Sequence, residues 1–261
     1  LVISAPEGIQ SHTRTLWELL RLHRVPTFLF FNKTDLPCSE RAELLSDLAR
    51  TFRETFCDMT GEPDMEQAAE ASEELLNEYL AEGTIREASL ARAADRRELF
   101  PVVFGAALKN EGTERLLELL SGFVIPAAPR KHFGARVIKI SHEGPDRLTW
   151  LKITGGALHV KDTVTNMRAG LPESARWEEK INEIRLYSGT RQTPLQEALP
   201  GCVCAVTGLT RTFAGEGLGC EADAPLPRLA PVVSYALILP AGCNKADLWG
   251  RIQKLGEEDP L

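Results

Sequence analysis

The residues with the clearest chemical capacity are Asn32, Lys33 and Asp35, in the stretch Phe28-Leu29-Phe30-Phe31-Asn32-Lys33-Thr34-Asp35. An ionised Asp35 offers two acceptor oxygens. Those atoms can take the two adjacent N–H groups on one edge of guanine, a pair that adenine lacks. Charge-assisted bidentate bonds of this kind are both strong and selective. Asn32 carries a donor and an acceptor in one side chain, enough to meet a base nitrogen and to pin a neighbouring loop. Lys33 can lay its aliphatic stem along a base and sugar while its ammonium stays wet. The same residues would also serve an ordinary strand-to-loop junction, so the elements that position them matter.

The apolar run before Asn32 is continuous and aromatic-rich, the pattern of a parallel strand buried on both faces. In open α/β sheets, ligands gather at the carboxyl ends of strands, where these polar residues fall. A second strand, Phe100 to Phe104, ends in Gly105-Ala106-Ala107-Leu108-Lys109-Asn110-Glu111-Gly112. A helix with Leu116, Leu117, Leu119 and Leu120 follows. In a shared sheet the two loops face one crevice. Small residues at 105–107 permit close backbone approach, so an amide there can donate to a guanine O6, although the stretch taken alone reads first as a tight strand-to-helix turn. Adenine presents an amino group there and is rejected.

Other elements frame this pair. Leu1 to Ala5 reads as a strand, and Ser11 can cap a helix carrying Leu16, Leu19, Leu20 and Leu22 on its inner side. Ser39 and Glu40 open another helix, with Leu44, Leu45, Leu48 and Phe52 at helical spacing. Residues 61–98 are acidic, alanine-rich and helical in pattern, either a solvated face or a partner surface. After the linker Pro126-Ala-Ala-Pro129 the period becomes strand-like. Gly134 to His142 alternates, with Ala135, Val137 and Lys139 on one side and Arg136, Ile138 and Ile140 on the other. Leu148 to Thr154, Leu158 to Val164, Trp177 to Tyr187 and Cys202 to Gly208 follow, separated by glycine turns. Short strands punctuated in this way point to a closed antiparallel barrel. Pro231 to Pro240 reads as a strand and Lys245 to Leu255 as a helix.

Composition bounds the rest. The 261 residues make one large domain or two to three small ones. A hydrophobic fraction of 43% with 26% charged residues is that of a soluble globular protein. The apolar runs are too short to cross a bilayer. The six cysteines, at 38, 57, 202, 204, 220 and 243, lack metal-site spacing and read as free thiols of a reducing cytoplasm. The five histidines are scattered, without a nucleophile or metal pattern. A net charge of −7 argues against nucleic-acid binding by bulk charge, though not against local basic patches.

Leu1-Val-Ile-Ser-Ala-Pro-Glu-Gly-Ile-Gln-Ser-His-Thr-Arg-Thr-Leu-Trp17, Val25 to Leu36 and Gly105 to Gly112 together resemble the second half of a translational GTPase G domain. Within that superfamily the chain is most similar to the tetracycline-resistance ribosomal protection proteins, relatives of elongation factor G. The resemblance implies that Asn32, Lys33 and Asp35, with Gly105, Ala106, Ala107 and Leu108, bind the guanine of GTP or GDP. The family has Ser where this chain has Ala106, which removes a hydroxyl but not the backbone contact. The phosphate loop, switch threonine and DxxG motif are not found in these residues, so Mg²⁺ is expected only in a longer protein, with its ligands elsewhere. His12 is not the family's water-orienting histidine, which follows DxxG. The opening strand and the closing strand–helix unit both look cut from a longer chain.

The implied fold is α/β plus all-β: the second half of a P-loop GTPase domain (1–129), an antiparallel β-barrel (130–226) and the start of an α+β third domain (227–261). The barrel of such proteins touches small-subunit ribosomal RNA. Arg136, Lys139, Arg147, Lys152, Lys161 and Arg168 are candidate contacts. The implied protein is a cytoplasmic monomer that binds the ribosome and no membrane. Two alternatives stay open: an elongation- or release-type translation factor, and a ribosome-binding module that does not hydrolyse GTP.

Overall fold

The computed structural model describes residues 1–166, 173, 176–225, 233, 235–239 and 244–259. The chain divides into two compact units, Leu1–Pro126 and Ala127–Leu261.

The first unit is a parallel sheet with helices on both faces. Its strands are β1 (Val2–Ser4), β2 (Leu29–Asn32), β3 (Thr55–Asp58) and β4 (Leu99–Phe104), in the order β1-β2-β4-β3. Continuous apolar runs arise because successive side chains enter opposite cores. Leu29, Phe31, Phe100, Val102 and Phe104 join Trp17 of α1 (Ser11–Leu22) and Leu44 and Leu48 of α2 (Arg41–Phe52) on one face. Phe30, Leu99 and Val103 join Leu90 of α5 (Glu87–Asp95) and Leu119 and Phe123 of α6 (Thr113–Phe123) on the other. In α1 the buried residues are Thr13 and Trp17, while Leu22 is exposed. Its apolar stripe is thus centred on the indole, not on the leucines, and its N-cap is Gln10.

Two features depart from the expected pattern. The sequence pattern does not announce β3. Residues 61–98 also form more than a solvated face. Asp64 accepts from the Glu66 and Gln67 amides and starts α3 (Met65–Ala69); Ser72 caps α4 (Glu73–Glu82), which Gly83 ends in the left-handed region. These caps cut the segment into short helices. Their inner residues Ala68, Ala69, Leu75, Ala93 and Ala94 are buried in the core, and outside Glu74 pairs with Arg92 and Arg96.

The second unit is antiparallel. Its main sheet joins β5 (Gly134–Glu143), β6 (Asp146–Gly155), β10 (Glu183–Ser188), β11 (Arg191–Leu195), β13 (Val203–Thr207) and β14 (Gly217–Gly219), in the order β11-β10-β13-β6-β5-β14. Two small ladders pair β7 (Leu158–His159) with β12 (Glu197–Ala198), and β8 (Thr163–Thr165) with β9 (Glu178–Lys180). A bulge between Val137 and Lys139 corrects the expected alternation in β5. The extra residue shifts the phase by one, so Ala135, Val137 and Ile140 are buried while Ile138 faces solvent. The expected strand Leu158 to Val164 is broken where Asp162 accepts from the His159 amide. Cys204 is a core thiol and Cys202 is partly buried.

Helix α7 (Lys245–Glu258) follows, longer than expected by three residues. It docks on β5 and β6 through charge: Glu258 accepts from the His142 amide at 2.8 Å, and Arg147 Nε reaches Glu257 at 2.9 Å. The described residues between 231 and 240 carry no strand; the rest of that expectation lies outside the described residues.

Candidate functional site

Parallel pairing of β2 with β4 brings the two polar loops side by side. The Gly105 amide donates to the Phe31 carbonyl at 2.9 Å, and the Thr34 amide returns to the Gly105 carbonyl at 3.2 Å. Beneath them the Phe31 and Phe104 rings stack nearly parallel, 5.0 Å apart. A rigid aromatic floor therefore carries both loops.

Asn32 is the clasp. Its Oδ1 accepts from the Lys33 amide and from the Ala107 amide, each at 2.9 Å. One acceptor thus orders its own loop and ties it to the other, leaving the Asn32 NH₂ to face a ligand. Lys33 sits in the left-handed region, φ 66°, with its side chain in solvent. A non-glycine residue there costs conformational energy that the surrounding bonds must offset.

The second loop is shaped by two glycines. A Cβ on Gly105 would collide with the Glu111 carbonyl and the Phe30 ring, and Gly112, at φ +76°, would press one against the Phe104 carbonyl. Ala106 is buried and exchanges two backbone bonds with Glu111, each 3.1 Å. Ala107 to Lys109 then form one 3₁₀ turn. The Ala107 amide, expected to face O6, is already bonded to Asn32. The next amide, that of Leu108, makes no hydrogen bond among the described residues, and the Leu108 side chain is fully exposed. Leu108 N–H is thus the donor this loop leaves open.

Asp35 closes the other side. Its Oδ2 lies 3.0 Å from Lys109 Nζ. That hydrogen bond holds the Asp35 carboxyl below the usual carboxylate range and raises the Lys109 ammonium above its ordinary value. The carboxylate is therefore ionised and already engaged by a cation that a base would have to displace. The sequence gives no sign of this role for Lys109, although the residue stands in the expected loop. Two further supports escape sequence reasoning. Thr60 Oγ1 accepts the Phe104 amide at 2.9 Å, and the Arg41 guanidinium lies over the Phe104 ring, 5.3 Å from its centre. All seven expected site residues thus lie on two adjoining loops.

The candidate cations of the second unit divide differently. Arg136 pairs with the buried Glu221 at 2.6 Å, and Arg147 bonds Glu257, Thr212 and the Leu209 carbonyl. Both serve the internal structure of the second unit. Lys139 lies over the Trp150 ring at 4.7 Å. Lys152 and Lys161 are exposed; Arg168 lies outside the described residues.

The two units correspond to known families. Residues 1–126 match the elongation factor Tu GTP binding domain, and residues 132–219 match elongation factor G domain 2. A GTP-binding domain followed by this second domain defines the class: the chain belongs to the translational GTPases. Within that class it is similar to the tetracycline resistance protein TetO of Campylobacter jejuni, 30% identical over 185 residues. TetO of Campylobacter coli is 29% identical over the same length. The match takes in 63% of this chain and 29% of each relative, so the chain spans under a third of their length. A solved structure from Thermus thermophilus superposes with a TM-score of 0.78 at 22% identity, covering 99% of this chain and 46% of that one. That likeness concerns the fold alone.

Proposed function

We propose that the first unit holds the base of GTP or GDP, with Asp35 accepting the guanine N–H pair and the Leu108 amide donating to O6. Asn32 presents its NH₂ to the base, and the Lys33 stem covers one side of the ring. The observation that carries this reading is the double acceptance by Asn32 Oδ1, which ties the two loops together. Discrimination against adenine follows from unpaired or clashing groups at both Asp35 and Leu108. Among the described residues no group of three or more His, Cys, Asp or Glu could hold a metal ion; Mg²⁺ belongs, on this reading, to the longer protein with its ligands elsewhere, and no step is assigned to it.

The longer protein, on this reading, is a cytoplasmic, monomeric, ribosome-associated GTPase that binds small-subunit RNA through the second unit and protects the ribosome from tetracycline. Similarity to the tetracycline resistance proteins supports it, as does the family of the second unit. Among the described residues no helix is long and apolar enough to cross a membrane. Of the barrel cations, Lys139, Lys152 and Lys161 remain available to phosphate.

The test compares GDP with ADP on this chain, and wild type with Asp35→Ala. GDP-selective binding that vanishes in the variant is expected. Equal binding of ADP and GDP would sink the guanine assignment. For the longer protein, release of tetracycline from purified ribosomes separates protection from ordinary elongation or termination.

A further inference from the structure

At the far edge of the first unit, β3 has β4 on one side and, among the described residues, no strand on the other. The register settles which backbone groups face outward. The Met59 amide bonds the Val102 carbonyl, and Cys57 is paired with Pro101, so the odd-numbered residues point to β4. In a parallel ladder the alternate residues, Phe56 and Asp58, then direct their backbone groups away from the sheet. Those of Phe56 open into a groove of about 630 Å³ between α2 and α3, while Asp58 stands outside its lining with its carboxylate 3.8 Å from the Arg41 guanidinium. Leu45, Ser46 and Ala49 form its floor on the α2 side. Glu54, Glu66 and Glu70 stand on its rim, and among the described residues no Lys or Arg lines it. None of these three glutamates takes part in an ion pair among the described residues.

We infer that this groove docks an extended basic peptide segment of a partner protein, added to β3 as a further strand. Unpaired edge amides and carbonyls template such addition, and natural proteins usually block exposed edges with Lys or Pro. This edge is instead flanked by small and apolar side chains below and carboxylates above. A segment alternating lysine or arginine with small apolar residues meets both: one set of side chains lies on Leu45 and Ala49, the other reaches the glutamates. Four residues of strand give about 13 Å of edge, enough for two to four main-chain bonds. The inference does not rest on the guanine site, which lies at the carboxyl ends of β2 and β4.

The test is fluorescence anisotropy of the full chain with short synthetic peptides. The probe alternates lysine with valine; a second alternates glutamate with valine. Two further versions of the basic peptide carry N-methyl groups on one or the other set of alternate amides. Binding of the basic peptide alone is expected, weakening as salt rises. One N-methylated version should lose about tenfold or more in affinity and the other little, because only one set of amides faces the edge. The exposed substitutions Ser46→Trp, which fills the groove, and Glu66→Lys with Glu70→Lys should each abolish binding while melting curves and GDP binding stay as in wild type. No binding, equal binding of the two N-methylated peptides, or binding untouched by Ser46→Trp would overturn the inference.

Discussion

Replacing Asn32 with alanine tests the clasp directly. The side chain gives up two hydrogen bonds, to the Lys33 and Ala107 amides, both 2.9 Å long. Lys33 and Ala107 are exposed, so their released amides can turn to water, and each bond is worth its net value of about 1 kcal/mol. The expected loss is about 2 kcal/mol. With an unfolding entropy of about 2.1 cal/mol/K per residue, a unit this long should melt about 7 °C lower, provided it unfolds cooperatively. The local readout is amide hydrogen exchange: the Ala107 and Lys33 amides should exchange faster, with protection in β2 and β4 retained. GDP affinity should fall by up to about thirtyfold, since the nucleotide must now order the second loop itself. Asn32→Asp is the control, because it keeps both loop bonds but removes the NH₂ donor. Its melting temperature should stay near wild type while guanine binding weakens. If the Ala107 amide exchanges at the wild-type rate in Asn32→Ala, Asn32 does not join the loops and the reasoning fails.

Lys109→Ala should raise GDP affinity by about two- to fivefold at low salt, because the base no longer competes with an exposed ammonium for Asp35. Calorimetric titration in low and high salt should show the gain fading as salt rises. Because Asp35 is held below its ordinary carboxylate value of ~4, its contact with Lys109 contributes above that pH and is lost as pH falls through the lowered value. GDP selectivity over ADP should therefore persist well into the acidic range, measured by binding across pH. Gly105→Ala should destabilise the first unit by about 2–3 kcal/mol in a denaturant melt, since its Cβ meets a carbonyl and a packed ring that have little room to move. Arg147→Ala should cost about 2–4 kcal/mol and speed amide exchange throughout α7, because Glu257 and the Thr149–Thr212 pair lose a shared donor.

Much of the two-loop arrangement was legible because its signal is local. A strand that must bury both faces writes itself as an unbroken apolar run, and its end is marked where Asn32 turns polar. The same holds for Phe104 and Gly105. Strand β3 lacked that mark: only Phe56 and Cys57 are buried, between Thr55 and Asp58, which are partly open. Four such residues look like the tail of α2 until the sheet edge supplies a partner. The bulge in β5 was illegible for a related reason. Strict alternation from Ala135 onward describes a flat strand well, and nothing in Val137-Ile138-Lys139 announces the extra residue that returns Ile140 to the core.

The errors over charge have a different cause. Sequence shows where a cation is, not what satisfies it. Arg136 and Arg147 looked like surface contacts because their acceptors, Glu221 and Glu257, stand far along the chain and arrive only when the sheet and α7 assemble. Lys109 stood inside a loop whose backbone role was anticipated, yet its partner Asp35 follows another strand. The proposed RNA contact of the second unit narrows accordingly. Removing Arg136 or Arg147 would lower the stability of the second unit as well as remove a charge, so a loss of binding would not isolate a contact. Lys152 and Lys161 have no such internal role among the described residues, so reversing their charge should lower affinity for RNA and flatten its salt dependence without lowering the melting temperature.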